Sequence, residues 1–149
     1  MKKILLLLIP VFILFACEEE DTEAEQLKKD IAKIEKYLAD NNLVAQSTAS
    51  GLHYIIHEEG TGDNPAYEAF VDVIYTGMLL NGTVFDSGRN TFVLAELVLA
   101  WQEGIPLIKK GGSITLYVPS KLGYGDTKSG IIPANSVLIF DIELLNVLY

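Results

Sequence analysis

The chain has 149 residues, half of them hydrophobic, and a formal net charge of -9 at pH 7. That length supports one modest core, and two full domains would be cramped. An excess of 20 acidic over 11 basic side chains repels phosphate backbones, which excludes nucleic acid as a partner because such binding needs clustered Lys and Arg.

Met1-Lys2-Lys3 followed by the apolar run Ile4 to Ala16 has the charged and hydrophobic regions of a secretory signal. It is short for a membrane span, which needs about 20 apolar residues. Cys17, the sole cysteine, follows Leu14-Phe15-Ala16, a pattern that resembles the lipobox of bacterial lipoproteins. That resemblance implies removal of residues 1–16, lipidation of Cys17 and attachment to a membrane. Loss of Lys2 and Lys3 would make the remaining chain more acidic by two charges. A lone cysteine has no intrachain disulfide partner, and lipidation gives it a use. Glu18-Glu19-Glu20-Asp21 is expected to be a solvated, extended tether. Its acidity resembles the surface-export signals of Bacteroidetes-type lipoproteins, which implies an outer-membrane location on the periplasmic or surface face.

From Thr22 to Asn42, Leu27, Ile31, Ile34 and Leu38 recur at helical spacing among Lys and Glu, predicting an amphipathic helix. Its stripe can pack on the domain, stand as a stalk or pair with a second copy; the spacing leaves all three open. Residues 45–51 are small and polar and are expected to be a linker. The chain therefore divides into a signal over 1–16, a lipidated Cys17 with tether and helix over 17–48, and a globular domain over 49–149.

Within that domain Leu52–Glu58, Phe70–Leu80, Ser113–Val118 and Leu138–Leu145 are rich in Val, Ile, Leu and Tyr and read as strands. Asn81-Gly82 marks a hairpin turn, although Asn81-Gly82-Thr83 also fits a glycosylation sequon. The stretch Ala95–Ile108 holds few β-branched residues and reads as a short helix. Strands around one helix make an α+β domain with an antiparallel sheet. Ser87 to Thr91 reads as a loop. No nucleophile motif, phosphate loop or dinucleotide fingerprint occurs, and no cofactor is implied. His53 and His57 lack a third partner at metal-ligating spacing, so no metal site is expected and both read as surface residues.

Six blocks stand in order: Tyr75-Thr76-Gly77-Met78-Leu79, Asn81 to Ser87, Trp101-Gln102-Glu103-Gly104, Tyr124-Gly125, Gly130 to Asn135, and Leu138 to Leu145. At this spacing, over about a hundred residues from Ala49 on, they resemble the FKBP family of peptidyl-prolyl cis/trans isomerases. The resemblance implies a twisted antiparallel sheet of about five strands wrapped around one short helix. It implies that Trp101 is the pocket floor, that Tyr75, Phe85 and Phe140 are aromatic walls, and that Val98 and Ile132 fill apolar gaps. Asp86 and Tyr124 are its polar members, and Glu96 and Leu97 lie at the rim. Without the resemblance, most of these residues would read as ordinary core. Proline-containing unfolded or exported polypeptides are the implied substrates, and macrolides the implied inhibitors. A pocket-based chaperone or binding module with little turnover is the alternative. Ala100, where glycine commonly precedes the tryptophan, and Asp126 to Ser129 depart from the family pattern around the pocket without removing its centre.

Overall fold

A computed structural model describes residues 18–149, with side chains from Thr22 onward. The expected signal over 1–16 and Cys17 lie outside the described residues. Helix α1 spans Glu18–Asp40, so the acidic run expected to be extended is instead the helix's first turn.

Six strands form one antiparallel sheet: β1 (Gln46–Ser47), β2 (His53–Glu58), β3 (Phe70–Leu79), β4 (Val84–Val93), β5 (Ser113–Val118) and β6 (Leu138–Leu148). Their spatial order is β1-β2-β5-β6-β3-β4. Two expectations are corrected here. Gln46 and Ser47, placed in a linker, pair with Tyr54 and His53 as a short edge strand. Ser87 to Thr91, read as a loop, is the middle of β4, paired with Thr76 to Asp72. Arg89 on this edge holds Asp72 of β3 through two hydrogen bonds, of 3.2 and 2.8 Å. Asn81-Gly82 makes the hairpin turn between β3 and β4: Gly82 has φ +85° and Asn81 Oδ1 accepts from Thr83 N at 3.0 Å.

The stretch expected to be one helix over Ala95–Ile108 divides into three pieces. A 3-10 turn spans Leu94–Glu96, helix α2 spans Leu99–Gly104, and a second 3-10 turn spans Ile105–Leu107. Pro106 lacks the N–H that would continue the helix, and the extended Leu97 separates the first turn from α2. The sheet curls around α2. Ala100, Trp101 and Ile105 pack there on Val71, Val73, Leu116, Leu138, Phe140, Ile142 and Leu144.

The opposite face of the sheet is covered by α1. Ile34 and Leu38 are buried against Tyr117, Val137 and Ile139, so the stripe packs on the domain rather than standing free. Tyr117, with Tyr37 of α1 at 5.9 Å between ring centroids, has its phenol pushed up to about 12, first by burial and then by Tyr37 and Asp141. Its proton is retained in the fold at a pH where an unfolded tyrosine has lost it. Above pH 10, therefore, the unfolded state binds fewer protons and stability falls as pH rises toward 12. Chemical denaturation at pH 9, 10.5 and 11.5 should show this decline, and Tyr117→Phe should flatten it.

His53 is buried, with Nδ1 2.9 Å from the Gly51 carbonyl, and is not the surface residue expected. His57 is exposed, and its Nε2 lies 2.8 Å from Thr115 Oγ1. Thr115 Oγ1 in turn donates to Asp141 at 2.6 Å. Each imidazole thus has a structural partner.

Candidate active site

Trp101 stands in the first turn of α2, and three rings meet it edge-on. Tyr75 of β3 lies at 5.2 Å, Phe140 of β6 at 5.4 Å and Phe92 of β4 at 6.0 Å between centroids, with interplanar angles of 76 to 89°. Such edge-to-face packing suits the negative faces and positive edges of aromatic rings. Phe85 continues the wall, 5.6 Å from Phe140 and 6.3 Å from Tyr124, both at 87°. The aromatic residues expected at the site therefore form one connected cluster of rings, together with Phe92.

Phe85 and Asp86 reach this surface together because of a β-bulge. Gly77 pairs with Asp86 and Met78 with Val84, leaving Phe85 as an extra residue in β4. In a regular strand neighbouring side chains point to opposite faces, and a bulge re-aims one of them. Gly77 makes room for the re-aimed ring: a Cβ there would lie 2.6 Å from Phe85 Cε2 and Cζ and 2.9 Å from Phe140 Cε1. Asp86 then accepts a 3.0 Å hydrogen bond from the Tyr75 hydroxyl.

The polar groups are arranged for donation. Burial raises the Tyr75 phenol above its usual value, with its hydrogen bond to Asp86 adding to this. Burial, then the Asp86 charge, does the same for Tyr124. Both phenols therefore hold their protons at neutral pH. The Tyr75 proton is committed to Asp86. The Tyr124 hydroxyl makes no hydrogen bond among the described residues, and the residue is 40% exposed beside Phe85.

The other expected residues sit around this centre. Ile132 is buried in the same core, and Leu97 and Val98 pack on it half-buried. Glu96 is exposed on the turn before them, as a rim residue would be. Two contributors went unanticipated. Phe92 pairs with Val71, whose side chain is wholly buried, and this register turns Phe92 inward. Gln102 donates to the Ala95 and Leu97 carbonyls at 3.1 and 2.6 Å, fixing the segment that carries Leu97 and Val98. No group of three or more His, Cys, Asp or Glu side chains among the described residues is placed to hold a metal ion.

An antiparallel sheet curled around a short helix, with a cluster of aromatic rings packed between that helix and the sheet, defines an FKBP-like domain. Residues 62–145 match the model of the FKBP-type peptidyl-prolyl cis-trans isomerase family, and the chain belongs to that family. It is 43% identical over 136 residues to the FKBP-type peptidyl-prolyl cis-trans isomerase FkpA of Buchnera aphidicola subsp. Schizaphis graminum, covering 87% of this chain and 53% of that protein. It is 38% identical over 136 residues to FkpA of Escherichia coli K12, covering 78% of this chain and 50% of the relative. The chain thus spans about half the length of the curated relatives it matches. Among solved structures, the crystal structure of FkpA from Escherichia coli superposes with a TM-score of 0.74 at 35% identity, over 87% of this chain and 62% of that one. AtFKBP13 superposes with a TM-score of 0.64 at 34% identity, over 69% of this chain and 98% of that one.

Proposed function

We propose that the chain catalyses cis/trans isomerisation of X-Pro bonds in exported polypeptides and assists their folding in the cell envelope, held there by a lipid on Cys17. The observation that carries the catalytic reading is the cluster of rings in which Tyr75, Phe92 and Phe140 meet Trp101 edge-on and Phe85 links Phe140 to the exposed Tyr124; we read it as an apolar pocket with Trp101 as floor and the Tyr124 phenol at its mouth. Rotation about an X-Pro bond breaks no covalent bond, yet its barrier is about 20 kcal/mol and the uncatalysed step takes tens of seconds. The planar imide is strongly polarised, with negative charge on oxygen. Twisting collapses that polarity, so a dry apolar pocket favours the twisted form over the planar one, whereas water favours the reverse.

Each residue has a part in that preference. Trp101 is the surface on which the proline ring rests, Phe85 and Phe140 close the sides, and Asp86 locks the Tyr75 ring as a wall. Tyr124 donates to a substrate carbonyl. Glu96 and Leu97 contact the substrate backbone at the rim, with Val98 and Ile132 filling the apolar surface between. A thousandfold acceleration needs about 4 kcal/mol of differential binding, which shape, dryness and one hydrogen bond can supply. The location rests on the signal-like residues 1–16 and on the lipobox-like pattern before Cys17.

Added to a client whose refolding is limited by proline isomerisation, the purified protein should speed the slow phase at substoichiometric concentration. No acceleration, together with suppressed aggregation of a client lacking slow proline steps, would favour a binding module instead. Mass spectrometry of the membrane-extracted protein should find Cys17 acylated at a new N-terminus; a free thiol there would remove the anchor.

A further inference from the structure

Asp30 lies on the apolar face of α1, one turn from both Leu27 and Ile34, and its side chain is wholly buried. A buried carboxylate is unfavourable unless its lone pairs are filled, and these are. Oδ2 accepts from the Ser120 backbone N–H at 2.9 Å and from the Ser120 hydroxyl at 2.5 Å. Oδ1 accepts from Gln26 Nε2 at 2.8 Å and from Lys33 Nζ at 3.3 Å. For holding α1 against the sheet, a well-packed apolar residue would serve at least as well. A carboxylate adds direction: it caps the 3-10 turn Ser120–Leu122 from outside that turn, fixing where the following chain begins.

The following chain carries Tyr124. The Ser120 carbonyl accepts from Gly123 N at 3.0 Å and from Gly125 N at 2.8 Å, bracketing the tyrosine, and Asn135 N donates to the Gly125 carbonyl at 2.9 Å. Ser120 is thus held on its donor side by Asp30 and on its acceptor side by the loop. The Tyr124 hydroxyl has no hydrogen-bond partner among the described residues to steer it, so the backbone beneath sets the ring's place beside Phe85. We infer that Asp30 is a positioning residue for the isomerase site, acting through Ser120 to hold the loop that presents the Tyr124 phenol to substrate, and making α1 part of the catalytic unit.

This rests on the isomerase reading above, and a double-mutant cycle in the full chain tests it. Asp30→Ala should lower kcat/KM roughly tenfold, the worth of one net hydrogen bond, with the fold retained by circular dichroism. Tyr124→Phe should lower it similarly. Combining Asp30→Ala with Tyr124→Phe should lower it no further than Tyr124→Phe alone, because the interaction being positioned is already gone. Asp30→Asn, whose carbonyl still accepts from Ser120 N–H, should restore most of the activity. Should Asp30→Ala fail to fold, Ser120→Ala, which removes the hydroxyl's bond to Asp30 while keeping the backbone one and the apolar residues of α1, takes its place in the same cycle with a smaller expected loss.

Unchanged turnover in a folded Asp30→Ala protein, or losses that multiply in the double variant, would overturn the assignment and leave Asp30 a structural anchor. Inactive wild-type protein would instead refute the isomerase reading. In that event backbone amide NMR still decides the positioning: Asp30→Ala, which removes both bonds to Ser120, should shift and broaden Tyr124, Gly125 and Asn135, Asp30→Asn should leave them near their wild-type positions, and unmoved resonances in the alanine variant would end the proposal.

Discussion

Alanine at Gly77 should leave the chain folded and lower kcat/KM up to about a hundredfold, the two edge-on ring contacts it breaks being worth about 0.5–1.5 kcal/mol each. The added Cβ would sit 2.6 Å from two atoms of the Phe85 ring and 2.9 Å from one of Phe140, closer than carbon atoms approach without displacement. Phe140 is 3% exposed and belongs to β6, which is paired on both sides by β3 and β5, so it holds its place. Phe85 is half-buried in a bulge on the edge strand and moves outward, losing Phe140 and Tyr124 as neighbours. The substrate then meets a well with one wall gone and water admitted. A control distinguishes this from general damage: in a Phe85→Ala background the same Gly77→Ala change should have little further effect on turnover, since the ring it displaces is absent. Wild-type turnover in Gly77→Ala, measured with a short Pro peptide, would remove Phe85 from the wall.

The clustering of Tyr75, Phe85, Trp101, Tyr124 and Phe140 was legible in the sequence, because they stand in spaced blocks that resemble one family, and strands such as Ser113–Val118 alternate visibly. What escaped did so for physical reasons. Strand β4 carries Asp86, Ser87, Gly88, Arg89, Asn90 and Thr91, all exposed on an edge, so no buried face imposes alternation and the segment reads as a loop. With β4 unseen, the inward turn of Phe92 was hidden too, since it follows only from the pairing with Val71. The sheet consequently has six strands where about five were expected, the extra count including the two-residue β1.

Asp30 left a fainter trace. It falls three residues after Leu27 and four before Ile34, so a charge interrupts an otherwise apolar face, and such an interruption calls for a buried partner. Its partner, Ser120, lies 90 residues away and carries no local motif, so spacing alone could not find it. The docking of α1 was one of several open outcomes for the same reason: an amphipathic stripe states that something covers it without stating what. Here Ile34 and Leu38 use the stripe on Tyr117 and Ile139, which joins the helix to the back of the sheet whose front forms the site.

Replacing Trp101 by leucine should be more damaging to turnover than replacing Tyr124 by phenylalanine, and the order of the two tests the proposed mechanism. Trp101 is 4% exposed, and its indole meets Tyr75, Phe92 and Phe140. A leucine leaves those three rings without the surface they stand on, and the truncation should destabilise the fold by about 2–4 kcal/mol. The loss is of packing and dryness alone, because the indole Nε1–H is buried without a hydrogen-bond partner and its removal orphans nothing. If catalysis comes chiefly from an apolar surface that prefers the twisted imide, kcat/KM should fall by roughly thirty- to a hundredfold, equivalent to about 2–3 kcal/mol of transition-state binding. Tyr124→Phe keeps the ring and removes only the hydroxyl, so its effect is limited to about tenfold, one net hydrogen bond. Trp101→Phe, keeping an aromatic floor, should fall between them. Assays run well below the midpoint of thermal unfolding of each variant separate turnover from stability. The reverse order, with Tyr124→Phe the more damaging, would mean that a directed hydrogen bond to the substrate carbonyl, rather than a dry aromatic floor, lowers the barrier.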